Sequence, residues 1–197
     1  MDPRQARTRR ALRDAIYTLA AEKPIEQVTV AEVARAASIT RDTFYRHAAT
    51  PVHLLADFLG EELGGFLEAH ADLPDQSGSP LSVFDESERQ LLRHVAGHAT
   101  IYRNAMSPRL VGPLRDALIN RIEAALTHHL SRHPHIAPAR EDGIPPERHV
   151  RMLVGYAGTG TVGAIEEWLA TGDLDDIDAA ARTIIAASPA WWLGRRP

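Results

Sequence analysis

Apolar residues recur every three to four positions along almost the whole chain, and no segment sustains the two-residue alternation of a half-buried strand, so the pattern predicts an all-α protein. Leu12, Ile16 and Leu19 form the stripe of a first helix that ends near Lys23 and Pro24. Val30, Val33, Ala34 and Ala37 form a second, and a short third spans about 41–47. A fourth helix over about 51–70 carries Leu55, Leu59, Leu63 and Phe66. The polar stretch that follows, 72–80, contains Pro, Gly and Ser and reads as a loop. Further helices are expected over about 86–105 and 109–132, then, after a Pro-rich connection, over about 147–171 and 175–188. Gly172 and Pro189 stop the last two.

Two of the helix starts are fully specified and lie close together. Thr29 precedes Val30-Ala31-Glu32, the pattern of a reciprocal capping box, with Val28 and Val33 in the staple positions around it. Eleven residues later Thr40 repeats the cap, with Ile39 and Phe44 as the second staple. Two helices joined by a turn over about 37–40 have helix-turn-helix geometry. On the second of them Phe44 points inward, which leaves Arg41, Asp42, Thr43, Tyr45, Arg46 and His47 available to a groove. So short a helix is a poor stand-alone element, and it makes sense as a probe presented by the helices behind it.

The formal net charge of −4 argues against a nucleic-acid partner until it is divided along the chain. Residues 1–54 carry nine Lys+Arg against six Asp+Glu, a net of +3, which leaves thirteen against twenty, or −7, for residues 55–197. Arg4, Arg7, Arg9, Arg10 and Arg13 fall within the first thirteen residues with only Asp2 opposing them. That is the composition of a phosphate-seeking arm ahead of a helix.

The run Val28-Thr-Val-Ala-Glu-Val-Ala-Arg-Ala-Ala37, Ser38-Ile-Thr-Arg-Asp-Thr-Phe-Tyr-Arg-His47, followed by Leu54-Leu55, resembles the DNA-binding domain of the tetracycline-repressor (TetR/AcrR) family. The resemblance implies a three-helix DNA-binding domain over 1–50 and a helical ligand-binding and dimerisation domain over 51–197. It implies a DNA-contacting set of Thr29, Thr40, Arg41, Asp42, Thr43, Tyr45, Arg46 and His47. Positions matching Arg41, Asp42 and Thr43 face base edges in that family, while those matching Thr29, Tyr45 and His47 mostly hold phosphates. Two departures stand out. Ser38 occupies the turn position where the family usually has Gly, and Ala48 and Pro51 stand where it usually has Phe and Lys. Pro51 suits the first helical position after a Thr50 cap, but the phosphate contact of that lysine is missing.

Further on, Leu153-Val-Gly-Tyr-Ala-Gly-Thr-Gly-Thr-Val-Gly-Ala-Ile-Glu-Glu-Trp-Leu-Ala-Thr-Gly172 resembles the penultimate long helix of a large TetR subgroup. The resemblance implies a two-fold four-helix bundle, with Val154, Gly158, Thr161, Ile165, Ile177, Ala181 and Ile184 expected at the homodimer seam. It also implies a small-molecule effector, for which Phe66, Tyr102, Met106, Tyr156 and Trp168 are the candidate contacts. The function so implied is a repressor that binds a palindromic double-stranded operator and is released by its ligand.

The absence of cysteine excludes disulfides, thiolate metal sites and thiol chemistry. The charged first ten residues lead into no apolar segment, and no run is long and apolar enough for a bilayer, so a cytoplasmic protein without a membrane partner is expected. His94 and His98 stand four apart, and His128, His129, His133 and His135 cluster further on, which raises the rival reading of a small helical metal-dependent enzyme. No carboxylate falls into a ligand motif with either set in the sequence, so the histidines are read as solvated or capping. Neither a cofactor nor a metal nor an enzymatic activity is expected.

Overall fold

The structure, a computed structural model, describes residues 3–71 and 80–189, with side chains throughout except at 66–71 and 80–85. Every regular element among the described residues is helical: α1 (Pro3–Glu22), α2 (Val30–Ala36), α3 (Arg41–Tyr45), α4 (Pro51–Ala71), α5 (Pro80–Gly97), α6 (Ala99–Asn104), α7 (Gly112–Arg132), α8 (Pro146–Thr171) and α9 (Ile177–Ala187). Single 3₁₀ turns occur at Ile25–Gln27 and Pro134–Ile136. The loop expected at 72–80 lies outside the described residues except for Pro80, with which α5 opens, and Trp191, Trp192 and Leu193 lie outside them too.

The single helix expected over 86–105 is two helices. It breaks at His98, whose φ of −116° and ψ of 24° leave the helical region, directly after Gly97, the poorest helix former there apart from proline. The next helix starts at Gly112 rather than near 109. The intervening residues make their own turn, in which the Ser107 amide donates to the Arg109 carbonyl at 2.8 Å and the Val111 amide to the Ala105 carbonyl at 2.9 Å.

The chain forms two compact units, Met1–Glu61 with His98–Ala117, and Glu62–Gly97 with Leu118–Pro197. In the first, α1 packs against α2 and α6, and α2 against α3. Leu12, Ile16, Ile25, Val33, Phe44 and Leu55 are fully buried there. Each removes a large apolar side chain from water, a contribution of about 1.5–3 kcal/mol. Asn104, at the end of α6, caps α1: its amide donates to the carbonyls of Ala20 and Ala21 at 2.9 and 3.1 Å. The last carbonyls of α1 have no partner within their own helix, and this side chain supplies one.

In the second unit α5 and α8 both pack against α9, and Arg89 on α5 donates to the Asp178 carboxylate on α9 at 2.8 Å. Helix α8 lies close to α7: a Cβ added at Gly158 would come within 3.1 Å of Glu123 Cγ and 3.6 Å of the Ile119 carbonyl. Gly172, left-handed at φ 86°, ends α8 as the sequence predicts.

Candidate nucleic-acid interface

Local chemistry fixes the second and third helices before any packing does. The Glu32 amide donates to Thr29 Oγ1 at 3.3 Å, and the Thr29 amide returns a bond to Glu32 Oε2 at 2.9 Å. The capping box is therefore complete. The Thr43 amide donates to Thr40 Oγ1 at 3.1 Å, which starts α3. The turn joining them closes through the Ile39 amide, 2.9 Å from the Ala34 carbonyl, and places Ser38 at φ 54°. That is the left-handed region, reached without glycine's freedom. After α3, Thr50 caps α4: the His53 amide donates to its hydroxyl at 3.3 Å, and Pro51 occupies the first helical position.

With these starts set, Phe44 is fully buried and its edge meets the Tyr45 ring at 5.7 Å and 87°. That contact steadies an aromatic which is itself 60% exposed. Thr29, Thr40, Arg41, Asp42 and Arg46 are exposed alongside it, with Thr43 and His47 half-buried. Arg46 lies back along its own helix: Nη2 donates to Thr43 Oγ1 at 3.0 Å, and Nε stands 3.8 Å from Asp42 Oδ2. The Asp42 carboxylate thus faces a cation of its own helix, which reduces its repulsion of an approaching phosphate.

The N-terminal arginines divide into two groups. Arg9 pairs with Glu61, and the guanidinium groups of Arg9 and Arg13 lie 4.9 and 5.4 Å from the Phe58 ring centre. Arg7 and Arg10 are exposed on α1. The arm expected in front of a helix is itself helical from Pro3.

The chain matches the family model "Bacterial regulatory proteins, tetR family" over residues 12–56. The N-terminal region is similar to the tetR-family domain. The match runs from the middle of α1 into the first turns of α4, a span that contains every residue of the expected DNA-contacting set. Solved structures extend the likeness in fold to the whole chain. A putative TetR-family transcriptional regulator from Syntrophomonas wolfei aligns with a TM-score of 0.67 at 11% identity, over 96% of this chain and 97% of that one. Thermus thermophilus FadR, a TetR-family repressor in complex with lauroyl-CoA, aligns with a TM-score of 0.64 at 20% identity, over 96% and 97%. RolR in complex with resorcinol aligns with a TM-score of 0.53 at 22% identity, over 98% and 96%. A search of curated proteins finds no match.

The effector candidates are placed in different ways. Tyr102 is fully buried in the first unit and Met106 half-buried. Trp168 is buried, and its indole N–H donates to Asp176 Oδ1 at 2.8 Å, so it fastens the turn from α8 to α9. Tyr156 is 72% exposed. Phe66 lies on α4 with its side chain outside the described part. Of the residues expected at the dimer seam, Val154, Gly158, Thr161, Ile165, Ala181 and Ile184 are buried within their own chain, and Ile177 is half-buried. The exposed face of α8 carries Met152, Tyr156, Thr159, Gly160 and Glu167 instead.

In the second histidine set the His129 ring meets that of His133 at 4.6 Å, and His133 meets His135 at 6.0 Å. Burial and the two neighbouring imidazoles hold His129 down to about 4, so it is neutral at pH 7. No helix among the described residues is long and apolar enough to cross a membrane.

Proposed function

We propose that the chain is a cytoplasmic transcriptional regulator, not an enzyme, that binds a palindromic operator as a homodimer, represses, and is released by a small-molecule effector. The observation that carries this is α3 itself: a five-residue helix started by Thr40, anchored by buried Phe44 and exposing Arg41, Asp42, Tyr45 and Arg46. Residues 1–50 serve as the DNA-binding domain and 51–197 supply effector binding and dimerisation. Arg41, at the first turn, suits the two acceptors of guanine, while Tyr45, Thr29 and His47 suit the flanking phosphates.

Dimerisation uses the outward face of α8. Met152 and Tyr156 are 56% and 72% exposed, and a Cβ at Gly160 or Gly163 meets nothing within 4 Å in a single chain. Large apolar groups flanking small residues allow a second copy of α8 to approach closely across a two-fold axis. Two recognition helices about 34–36 Å apart then enter successive major grooves. An effector bound among the helices of the C-terminal body favours a different spacing, and by linkage operator DNA weakens effector binding by the same factor.

Fluorescence anisotropy with the intergenic DNA beside the chain's own gene tests this reading. An inverted repeat there is expected to bind with a Kd of about 10⁻⁸ M or tighter at physiological salt, far below that of random DNA. Equal affinity for both would overturn it.

A further inference from the structure

Glu88 stands on α5 within the second unit, one helical turn before Leu91 and Leu92 and two before Val95, so it shares a stripe with those three buried side chains. A carboxyl in such a position is ordinarily paired. Glu88 is half-buried as a residue, yet its Oε1 is sealed from solvent and has no hydrogen-bond partner, and it is the one side-chain atom so placed among the described residues. The cations near it on α5 are engaged elsewhere: Arg89 donates to Asp178 on α9 at 2.8 Å, and Arg93 to Glu86 at 2.9 Å. We propose that Glu88 anchors a binding site for a small organic cation, an amine carried on an apolar body.

The surroundings select that class. Burial without a partner disfavours the charged carboxylate and pushes the Glu88 carboxyl up to about 7. A ligand that brings both an N–H donor and a positive charge restores what burial removes, through a charge-assisted hydrogen bond. Leu91, Leu92 and Val95 beside it suit an apolar ligand body, since ligand sites are mostly apolar with a few placed polar groups. Residues 55–197 carry twenty Asp+Glu against thirteen Lys+Arg, a balance that attracts cations and opposes a carboxylate ligand. The Arg89 to Asp178 bond ties α5 to α9 next to Glu88, so an amine seated there bears on the packing of these two helices. The proposal gives the effector a chemical class, and in that respect it rests on the regulator reading above.

The test titrates the full-length protein with benzylamine, phenethylamine and hexylamine, and with benzoate, phenylacetate and hexanoate as anions of similar body, by calorimetry and thermal melts. At least one amine is expected to bind at one site per chain and to raise the melting temperature, while its anionic counterpart does neither. Glu88→Gln keeps the shape and removes the charge, and should weaken that amine by at least about 30-fold. Glu88→Leu should abolish binding yet raise the melting temperature of the free protein, because an unpartnered buried polar group is gone. A carboxyl with a purely structural role predicts a lower melting temperature instead. Circular dichroism checks that each variant folds, and Glu88→Met replaces Glu88→Leu if it does not. No binding of any amine, anions bound as tightly as amines, amine binding unchanged in Glu88→Gln, or a less stable apolar variant would each overturn the proposal. None of these readouts involves DNA, so the site and the regulator reading fail separately.

Discussion

Lys23, beyond the end of α1, donates its ammonium to Glu32 Oε1 at 2.7 Å, while the other oxygen of that carboxylate closes the capping box on Thr29. One side chain thus joins the first helix to the start of the second. The bond from Lys23, followed by those from the Thr29 backbone and hydroxyl, holds the Glu32 carboxyl down from 4.5 to about 2. A carboxyl whose folded value is depressed contributes stability that is complete above its unfolded value and disappears as pH falls toward the folded one. Glu32→Gln keeps the capping geometry but removes the charge. Thermal melts should show the parent more stable than the variant at pH 7, with the gap narrowing between pH 4.5 and 2; a gap independent of pH would remove the charge from the account.

Ser38 at φ 54° is a non-glycine residue held in the left-handed region. An L-residue there costs roughly 1–2 kcal/mol, and glycine's greater freedom in the unfolded chain returns part of the gain from replacing it. Ser38→Gly should therefore stabilise by up to about 1 kcal/mol in urea unfolding, and Ser38→Val should destabilise, because a β-branched residue at positive φ is strained further. A destabilised Ser38→Gly would mean that the serine side chain makes an interaction which outweighs its strain.

The two groups of N-terminal arginines should respond differently to removal. Arg7→Gln with Arg10→Gln is expected to leave the melting temperature in place and to flatten the plot of log K against log salt by about 0.9 for each phosphate no longer neutralised, on operator and random DNA alike. Arg9→Gln breaks the pair with Glu61 and the stacking on Phe58, so it should also lower stability. The salt dependence of DNA binding and the thermal melts of the same variants separate the two effects.

The glycines of α8 give a similar contrast. Gly158 faces Glu123 and the Ile119 carbonyl on α7, so Gly158→Leu overpacks the chain's own core and should cost about 1–3 kcal/mol at any protein concentration. Gly160 meets nothing within its own chain. Gly160→Arg should leave the fold intact and yield monomers in sedimentation velocity, and a stable dimer carrying that arginine would move the interface off this face.

These contrasts also mark what is legible in the sequence. The helix-turn-helix is, because caps and staples act over three to five residues: Thr29 with Glu32, Thr40 with Thr43, Phe44 inward. The long helices are too, from their apolar period. The break at His98 is not, since one glycine in a periodic run only weakens a helix. Helical period also says that a residue lies on an apolar stripe without saying whether the stripe faces its own core or another chain. Val154, Thr161 and Ile165 therefore suit a dimer seam on pattern alone, yet they lie in their own chain's interior. Asn104 capping α1, and Arg89 pairing with Asp178, join residues far apart in sequence through packing alone.

The recognition helix carries the sharpest division of labour. Arg41 occupies its first turn, where the N-terminal residues of such helices meet base edges, and Tyr45 lies one turn later with its ring braced by Phe44. Removing an arginine that reads guanine through two bonds costs about 1–3 kcal/mol at the one base pair it contacts, so Arg41→Ala should flatten the preference at a single position in each half-site. Tyr45→Phe removes only a hydroxyl, since the edge contact with Phe44 survives. It should weaken binding to all sequences about equally, by roughly 0.5–1.5 kcal/mol or somewhat more for a charged phosphate acceptor. Selection from a randomised DNA library with each variant reads both outcomes at once. Should Tyr45→Phe change the selected base while Arg41→Ala leaves it intact, the two roles are the reverse of those assigned, and the helix enters the groove by its C-terminal end.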